Sequence, residues 1–197
     1  MRIGLFGGSF DPAHAGHRHV AETARRALGL HKVWWLVTPQ NPLKPRSSPL
    51  AERLSSARTL ARRTGHVVTA IETRLGLRYS VDTVTALQTR YPGVRFVWVV
   101  GGDATETFHR WRRWKQIFTL IPVAVVARER IAAHGLRGRA FSRFAADRIR
   151  APRRLPVSAP PAWIYLAGRL SPESSTRLRA QLQASGAGDS VLRSEGQ

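Results

Sequence analysis

Eleven consecutive residues near the start of the chain hold most of its candidate chemistry: Gly7-Gly8-Ser9-Phe10-Asp11-Pro12-Ala13-His14-Ala15-Gly16-His17. His14 and His17 are three apart, a spacing that lets both imidazoles face the same space where a helix begins. Gly7 and Gly8 allow a backbone to come close to a ligand, and Gly16 leaves room beside the histidines. A helix starting near Gly16 turns its free N–H groups and the positive end of its dipole toward an anion. These parts describe a phosphate-binding turn, although the string is neither the dinucleotide-binding glycine fingerprint nor a P-loop. Two other readings fit the same residues: a plain strand-to-helix turn with two surface histidines, and a His-x-x-His metal pair. The chain has no cysteine and no clear third ligand nearby, which weighs against zinc.

A turn of this kind needs a strand before it and a helix after it, and the flanking residues supply both. Residues 2–7 read as a short buried strand and 17–28 as a helix with Val20, Ala24, Ala27 and Leu28 on one face. Further strands are expected over 33–38, 66–71, 94–100, 122–127 and 163–167. Helices are expected over 50–63, 80–90 with Ser80 as N-cap, 105–120 in one or two pieces, 139–149 and 172–184. Residues 39–45 hold three prolines and must be a loop, and 151–161 is a proline-rich connection. The alternation of strand and helix predicts an α/β chain: a doubly wound parallel sheet in three α/β/α layers. Ligands of such sheets bind beyond the carboxyl ends of the strands, where the glycine–histidine string falls. A single domain is expected over 1–185, followed by a small, polar, disordered tail over 186–197.

The bulk numbers constrain the function classes. The 197 residues, 43% of them hydrophobic, suffice for one domain with a real core. No apolar run approaches the length of a membrane span, and the N-terminus is too short and glycine-rich for a signal peptide. These features, with the lack of cysteine, point to the cytoplasm. The net charge is +20, carried almost wholly by arginine, with lysine only at 32, 44 and 115. Residues 110–154 hold thirteen Lys or Arg against Glu129 and Asp147. A non-catalytic nucleic-acid-binding protein is one reading of this charge. A solvated basic face around a polyphosphate site is the other and is favoured here, so nucleic acid is not expected as a partner. Nothing in the sequence specifies an oligomeric state.

The eleven-residue string resembles the GxFDPxHxGH signature of the HxGH nucleotidyltransferase superfamily, and in its GGSFDPxHxGH form the bacterial nicotinate-nucleotide adenylyltransferases. The resemblance continues along almost the whole chain. It includes Pro39-Gln40-Asn41-Pro42-Leu43-Lys44, Tyr79-Ser80-Val81-Asp82-Thr83, Gly101-Gly102-Asp103, the Trp-containing segment 108–114, and Ser174-Ser175-Thr176-Arg177-Leu178-Arg179, similar to an SSTxIR-like motif. It departs from the family at Ala104, where Asn is common, at Pro172-Glu173, where apolar residues are usual, and at Arg128-Glu129-Arg130, where Arg-Pro-Gly is common.

The resemblance implies a Rossmann-like nucleotidyltransferase fold and transfer of the adenylyl group of ATP to nicotinate mononucleotide. The nucleophile is then a phosphate already ionised at neutral pH, so the reaction calls for alignment and charge neutralisation rather than a general base. The implied catalytic residues are His14, His17 and Arg179. ATP would be held by Gly7, Gly8, Ser9, Phe10, Gly101, Asp103, Ser175 and Thr176. Nicotinate mononucleotide would be held by Asn41, Lys44, Ser80, Thr83 and Trp111, with Trp111 stacking on the pyridine and Trp114 serving the core. Mg2+ would arrive with ATP, without a dedicated protein metal site. The same transfer to nicotinamide mononucleotide or another phosphate acceptor is the nearest alternative.

Overall fold

In the computed structural model of the chain, the described residues are 1–43, 47–62, 64–127 and 138–167. Six strands form one sheet: β1 Arg2–Gly8, β2 Lys32–Val37, β3 Val67–Thr69, β4 Arg95–Gly101, β5 Val123–Val126 and β6 Trp163–Leu166. Every pairing is parallel, in the order β3-β2-β1-β4-β5-β6. The order reverses between β1 and β4, and the carboxyl ends of these two strands open the crevice where doubly wound sheets take their ligands. The helices are α1 Ala15–Leu28, α2 Leu50–Ala61, α3 Ile71–Arg74, α4 Ser80–Arg90, α5 Trp114–Leu120 and α6 Arg139–Arg143.

The period-two alternation of the strands sends side chains to both faces. Ile3 and Leu5 of β1 join Phe96, Trp98 and Val100 of β4 on one face, under Val84 and Leu87 of α4 and Ile117 and Phe118 of α5. Phe6, Val97 and Val99 face the other way, under Val20, Ala24 and Leu28 of α1 and Ala57 of α2. The result is the expected three-layer arrangement. Both faces of the sheet are covered, which is why its strands read as continuous apolar runs.

The local expectations need correcting at several points. α1 begins at Ala15, two residues before the expected start, because His14 supplies the cap. Tyr79, not Ser80, occupies the N-cap of α4, with no side-chain cap bond. The strand expected over 66–71 is only Val67–Thr69, and Ile71 opens the unexpected α3. The helix expected over 105–120 is broken into two 3-10 turns, Gly102–Thr105 and Phe108–Arg110, and α5. Arg113, at φ 50°, adopts the left-handed conformation that separates Trp111 from α5. The helix expected over 139–149 ends at Arg143, because Phe141 and Phe144 turn into an aromatic cluster with Phe118 and Trp163. Trp163 Nε1 donates to the Phe144 carbonyl oxygen at 2.6 Å and fixes that turn. The helix expected over 172–184 and the tail over 186–197 lie outside the described residues.

Candidate active site

β1 leaves the sheet at Gly8, and the chain crosses to α1 through Ser9–His14. Phe10 anchors this crossing. Its backbone is left-handed at φ 49°, a costly conformation for a bulky residue. Its ring is 1% exposed, stacked on Trp35 at 5.2 Å and edge-on to Phe6 at 5.4 Å. The burial of that ring offsets the backbone strain.

His14 is the N-cap of α1. Its Nδ1 accepts the Gly16 N–H at 3.1 Å, and His17 Nδ1 accepts the His14 N–H at 3.2 Å. This is the reciprocal logic of a capping box, carried out by two imidazoles. It has a chemical consequence. A ring that accepts at Nδ1 carries its proton on Nε2 in the neutral form, so both rings are set as Nε2–H donors. The ring centroids are 3.9 Å apart, and the residues are only 4% and 8% exposed. The first turn of α1 holds no acidic residue, so its own sequence does not neutralise the positive end of the dipole.

The glycines also serve the packing of the crevice. A Cβ on Gly7 would meet the Trp98 ring at 3.2 Å, and one on Gly8 would meet the Phe10 ring at 3.3 Å. They bring the backbone close to the aromatic floor of the crevice. Trp98 extends that floor to Trp111, edge-on at 6.3 Å, so the end of β1 and Trp111 meet across one indole. Trp111 stacks on Phe108 at 4.7 Å and is half-buried, so it keeps at most its other face for a ligand. Trp114 is also half-buried and packs edge-on against Phe118 and Phe144. The expected division into one core and one free tryptophan is therefore incomplete. Ser9 is 6% exposed, and its Oγ is buried with no hydrogen-bond partner among the described residues. A buried orphan hydroxyl is costly unless something else bonds it.

The end of β2 joins this loop to α4. The Thr38 N–H donates to the Gly8 carbonyl at 3.0 Å. Thr83 Oγ1 lies 2.9 Å from Glu72 Oε1 and 3.2 Å from the Tyr79 carbonyl oxygen, so its single proton is committed to one of these acceptors. Burial pushes the Glu72 carboxyl above 4.5, and hydrogen bonds from Thr83 and Thr38 pull it partly back. Folding thus makes protonation of this carboxyl easier than it is in the unfolded chain. The contribution of Glu72 to stability is most favourable below pH 4.5 and is lost as pH rises through the higher folded-state value. Glu72→Gln, which cannot ionise, should therefore gain stability relative to wild type as pH is raised from 4.5. Urea unfolding across that range measures this, and a difference independent of pH would contradict it. Beside this pair, the Arg112 guanidinium sits 4.8 Å over the Tyr79 ring and Arg78 sits at 5.8 Å.

The structure thus gathers Gly7, Gly8, Ser9, Phe10, His14 and His17 in one loop. Gly101 ends β4, and Asp103 is exposed in the 3-10 turn that follows. Ser80 lies in the first turn of α4 and Thr83 one turn on, bonded to Glu72 of α3. Asn41 uses its Oδ1 to accept the Leu43 N–H at 2.9 Å, a local turn bond. Lys44, Ser175, Thr176 and Arg179 lie outside the described residues. Three organising residues were not singled out from the sequence: Arg53, Glu72 and Trp98. A signal existed for Arg53, which falls on the inward stripe of α2 with Ala57 and Ala61. An arginine at such a position needs an explanation. Among the described residues no group of three or more His, Cys, Asp or Glu is arranged to hold a metal, and no helix is long and apolar enough to cross a membrane.

Known proteins match this arrangement. The cytidylyltransferase-like family matches residues 5–181. Among curated relatives, a protein of Caulobacter sp. (strain K31) is 52% identical over 185 residues, covering 92% of this chain and 98% of its own. One of Methylorubrum extorquens (strain PA1) is 49% identical over 186 residues, covering 92% and 100%. Both bear the name probable nicotinate-nucleotide adenylyltransferase. Among solved structures, Plasmodium falciparum nicotinic acid mononucleotide adenylyltransferase complexed with NaAD superposes with a TM-score of 0.70 at 15% identity, covering 91% of this chain and 82% of that one. At that identity it supports the fold alone. Signature loop, sheet order and half-identical relatives agree: the chain belongs to the nicotinate-nucleotide adenylyltransferase family, within the cytidylyltransferase-like nucleotidyltransferases.

Proposed function

We propose that the chain transfers the adenylyl group of ATP to nicotinate mononucleotide, giving nicotinate adenine dinucleotide and pyrophosphate, as the names of its relatives imply for them. The observation that carries the reading is the pair of buried imidazoles at the start of α1, each held at Nδ1 by a main-chain N–H and so set to donate from Nε2. Such donors need no reorganisation when a phosphate anion meets them.

A phosphate oxygen of nicotinate mononucleotide attacks the α-phosphorus of ATP. The new P–O bond forms as the bond to the β-phosphate oxygen breaks, and pyrophosphate leaves with that electron pair. The attacking oxygen carries no proton at neutral pH, so no residue is assigned as a base. His14 and His17 donate to the triphosphate, and the orphan Ser9 hydroxyl is a further donor from the same loop. Ser175, Thr176 and Arg179 grip the phosphates from the last motif. That assignment rests on the resemblance of the motif and on the two-pronged geometry of guanidinium on phosphate. Gly101, at the end of β4, and Asp103, in the turn beyond it, hold the adenosine. Trp111 stacks on the pyridine, and Ser80 and main-chain N–H groups near Trp111 read its carboxylate, while Thr83 supports that wall through its bond to Glu72; Asn41 and, by the resemblance of its motif, Lys44 assist. A divalent cation such as Mg2+ would come with ATP and supply charge neutralisation at its phosphates, and no metal-holding group is assigned among the described residues. A cytoplasmic location fits these substrates.

Pyrophosphate release from the purified chain tests the reading. Release is expected with ATP plus nicotinate mononucleotide. It should fall to background when CTP replaces ATP or when the acceptor is left out. Release that is equally fast without the acceptor would reduce the chain to a nucleotide hydrolase.

A further inference from the structure

Arg53 belongs to none of the motifs above, yet it is 2% exposed. A guanidinium taken out of water is costly unless its N–H groups find acceptors. Burial draws its pKa below the ordinary arginine value, and the charge of nearby Asp11 works against that. Its acceptors are four main-chain carbonyl oxygens. Nε donates to Ser48 at 2.8 Å, Nη1 to Ser9 at 2.8 Å and to Thr38 at 2.8 Å, and Nη2 to Pro39 at 2.7 Å.

Those carbonyls come from three stretches of chain. Ser9 lies in the loop that leads into His14. Thr38 and Pro39 leave the end of β2. Ser48 precedes α2, and its N–H donates to Asp11 Oδ2 at 3.2 Å, which ties the same loop a second time. Thr38 also bonds Gly8 through its N–H, its side chain bears on the Glu72 carboxyl, and Thr83 donates to that carboxyl. One planar cation is therefore hydrogen-bonded at once to the phosphate-side loop and to the strand end that leads to the acceptor-side residues. A lysine ammonium at this position is a single point of charge and cannot reproduce the fork.

We propose that Arg53 is a positioning residue for adenylyl transfer, on the functional reading above: by holding the Ser9, Thr38 and Pro39 carbonyls on one guanidinium, it sets the loop that carries His14 and His17 against the acceptor side of the crevice. A reaction between two polyanions depends on alignment, and a displacement of about 1 Å can cost about 10²-fold in rate. Arg53 is 2% exposed and spends four of its five N–H groups on main-chain carbonyls, so its loss is expected in turnover more than in ground-state binding.

The test compares wild type, Arg53→Lys and Arg53→Ala as full chains, with rates expressed per folded molecule from circular dichroism at the assay temperature. Arg53→Lys is expected to lose at least about 10-fold in kcat while KM for both substrates stays within about threefold. Arg53→Ala is expected to lose more, and to recover when millimolar guanidinium is added but not when ammonium is added. A merely structural role would lower the folded fraction and leave kcat per folded molecule unchanged, without rescue, and that result would overturn the proposal. Should Arg53→Ala not fold, the lysine comparison decides. An inactive wild type in the same assay would remove the adenylyl-transfer reading and this inference with it. An active wild type with an unaffected Arg53→Lys would remove this inference alone.

Discussion

His17→Asn is expected to lower adenylyl transfer by about 10²–10³-fold, the cost typical of removing one preorganised donor from a developing anion, while the chain stays folded. The choice of asparagine follows from the two separate jobs of the imidazole. His17 Nδ1 accepts the His14 N–H at 3.2 Å, and the side-chain oxygen of Asn stands at an equivalent distance from the backbone, so the cap is retained. The Nε2–H has no counterpart in Asn and is lost. His17→Ala removes both and mixes capping with catalysis, since losing a cap costs about 1 kcal/mol by itself. His17→Gln is the complement: it restores an N–H near the Nε2 position and gives up the cap. Steady-state rates with thermal unfolding of all three variants separate the roles. An Asn variant with near-normal turnover would leave His17 as a helix cap only.

The second large effect concerns the acceptor. Nicotinate mononucleotide is expected to exceed nicotinamide mononucleotide in kcat/KM by on the order of 10²–10³-fold, because a pocket of donors meets an amide NH2 as donor against donor. The discrimination stays below that of a wholly lost partner, since the amide keeps its carbonyl oxygen as an acceptor. Hydrogen bonds should account for more of it than net charge. Arg112 and Arg78 flank Tyr79, but both are exposed, and exposed charge pairs contribute only about 0–1 kcal/mol. Raising the salt concentration should therefore narrow the preference only slightly. Parallel initial rates on the two acceptors measure it, and a ratio near unity would remove Ser80 and the Trp111 segment as readers of a carboxylate.

Much of the architecture was legible because a parallel sheet covered on both faces writes its strands as apolar runs. Residues such as Val97, Val99 and Val100 of β4 have one reading only. The glycine–histidine string was legible because its chemistry is local: cap, turn and helix start lie within eleven residues. What stayed hidden depends on partners distant in sequence. Arg53 and Ser9 are 44 residues apart, and Glu72 and Thr83 are 11 apart. The segment around Trp111 misled for a related reason. Phe108, Trp111, Trp114 and Phe118 have helical spacing, but Phe108 and Trp111 stack face to face, and Arg113 turns left-handed to let them. Tertiary aromatic contacts outweigh local periodicity there. The strand order could not come from local pattern at all, since it records which strands meet.

The most direct measurement of the central claim follows the α-phosphorus. ATP labelled at that position, incubated with the purified chain and nicotinate mononucleotide, should deliver its label into nicotinate adenine dinucleotide in step with unlabelled pyrophosphate. Label that remains in ATP, or emerges only as free AMP or ADP, would contradict adenylyl transfer as the work of this crevice.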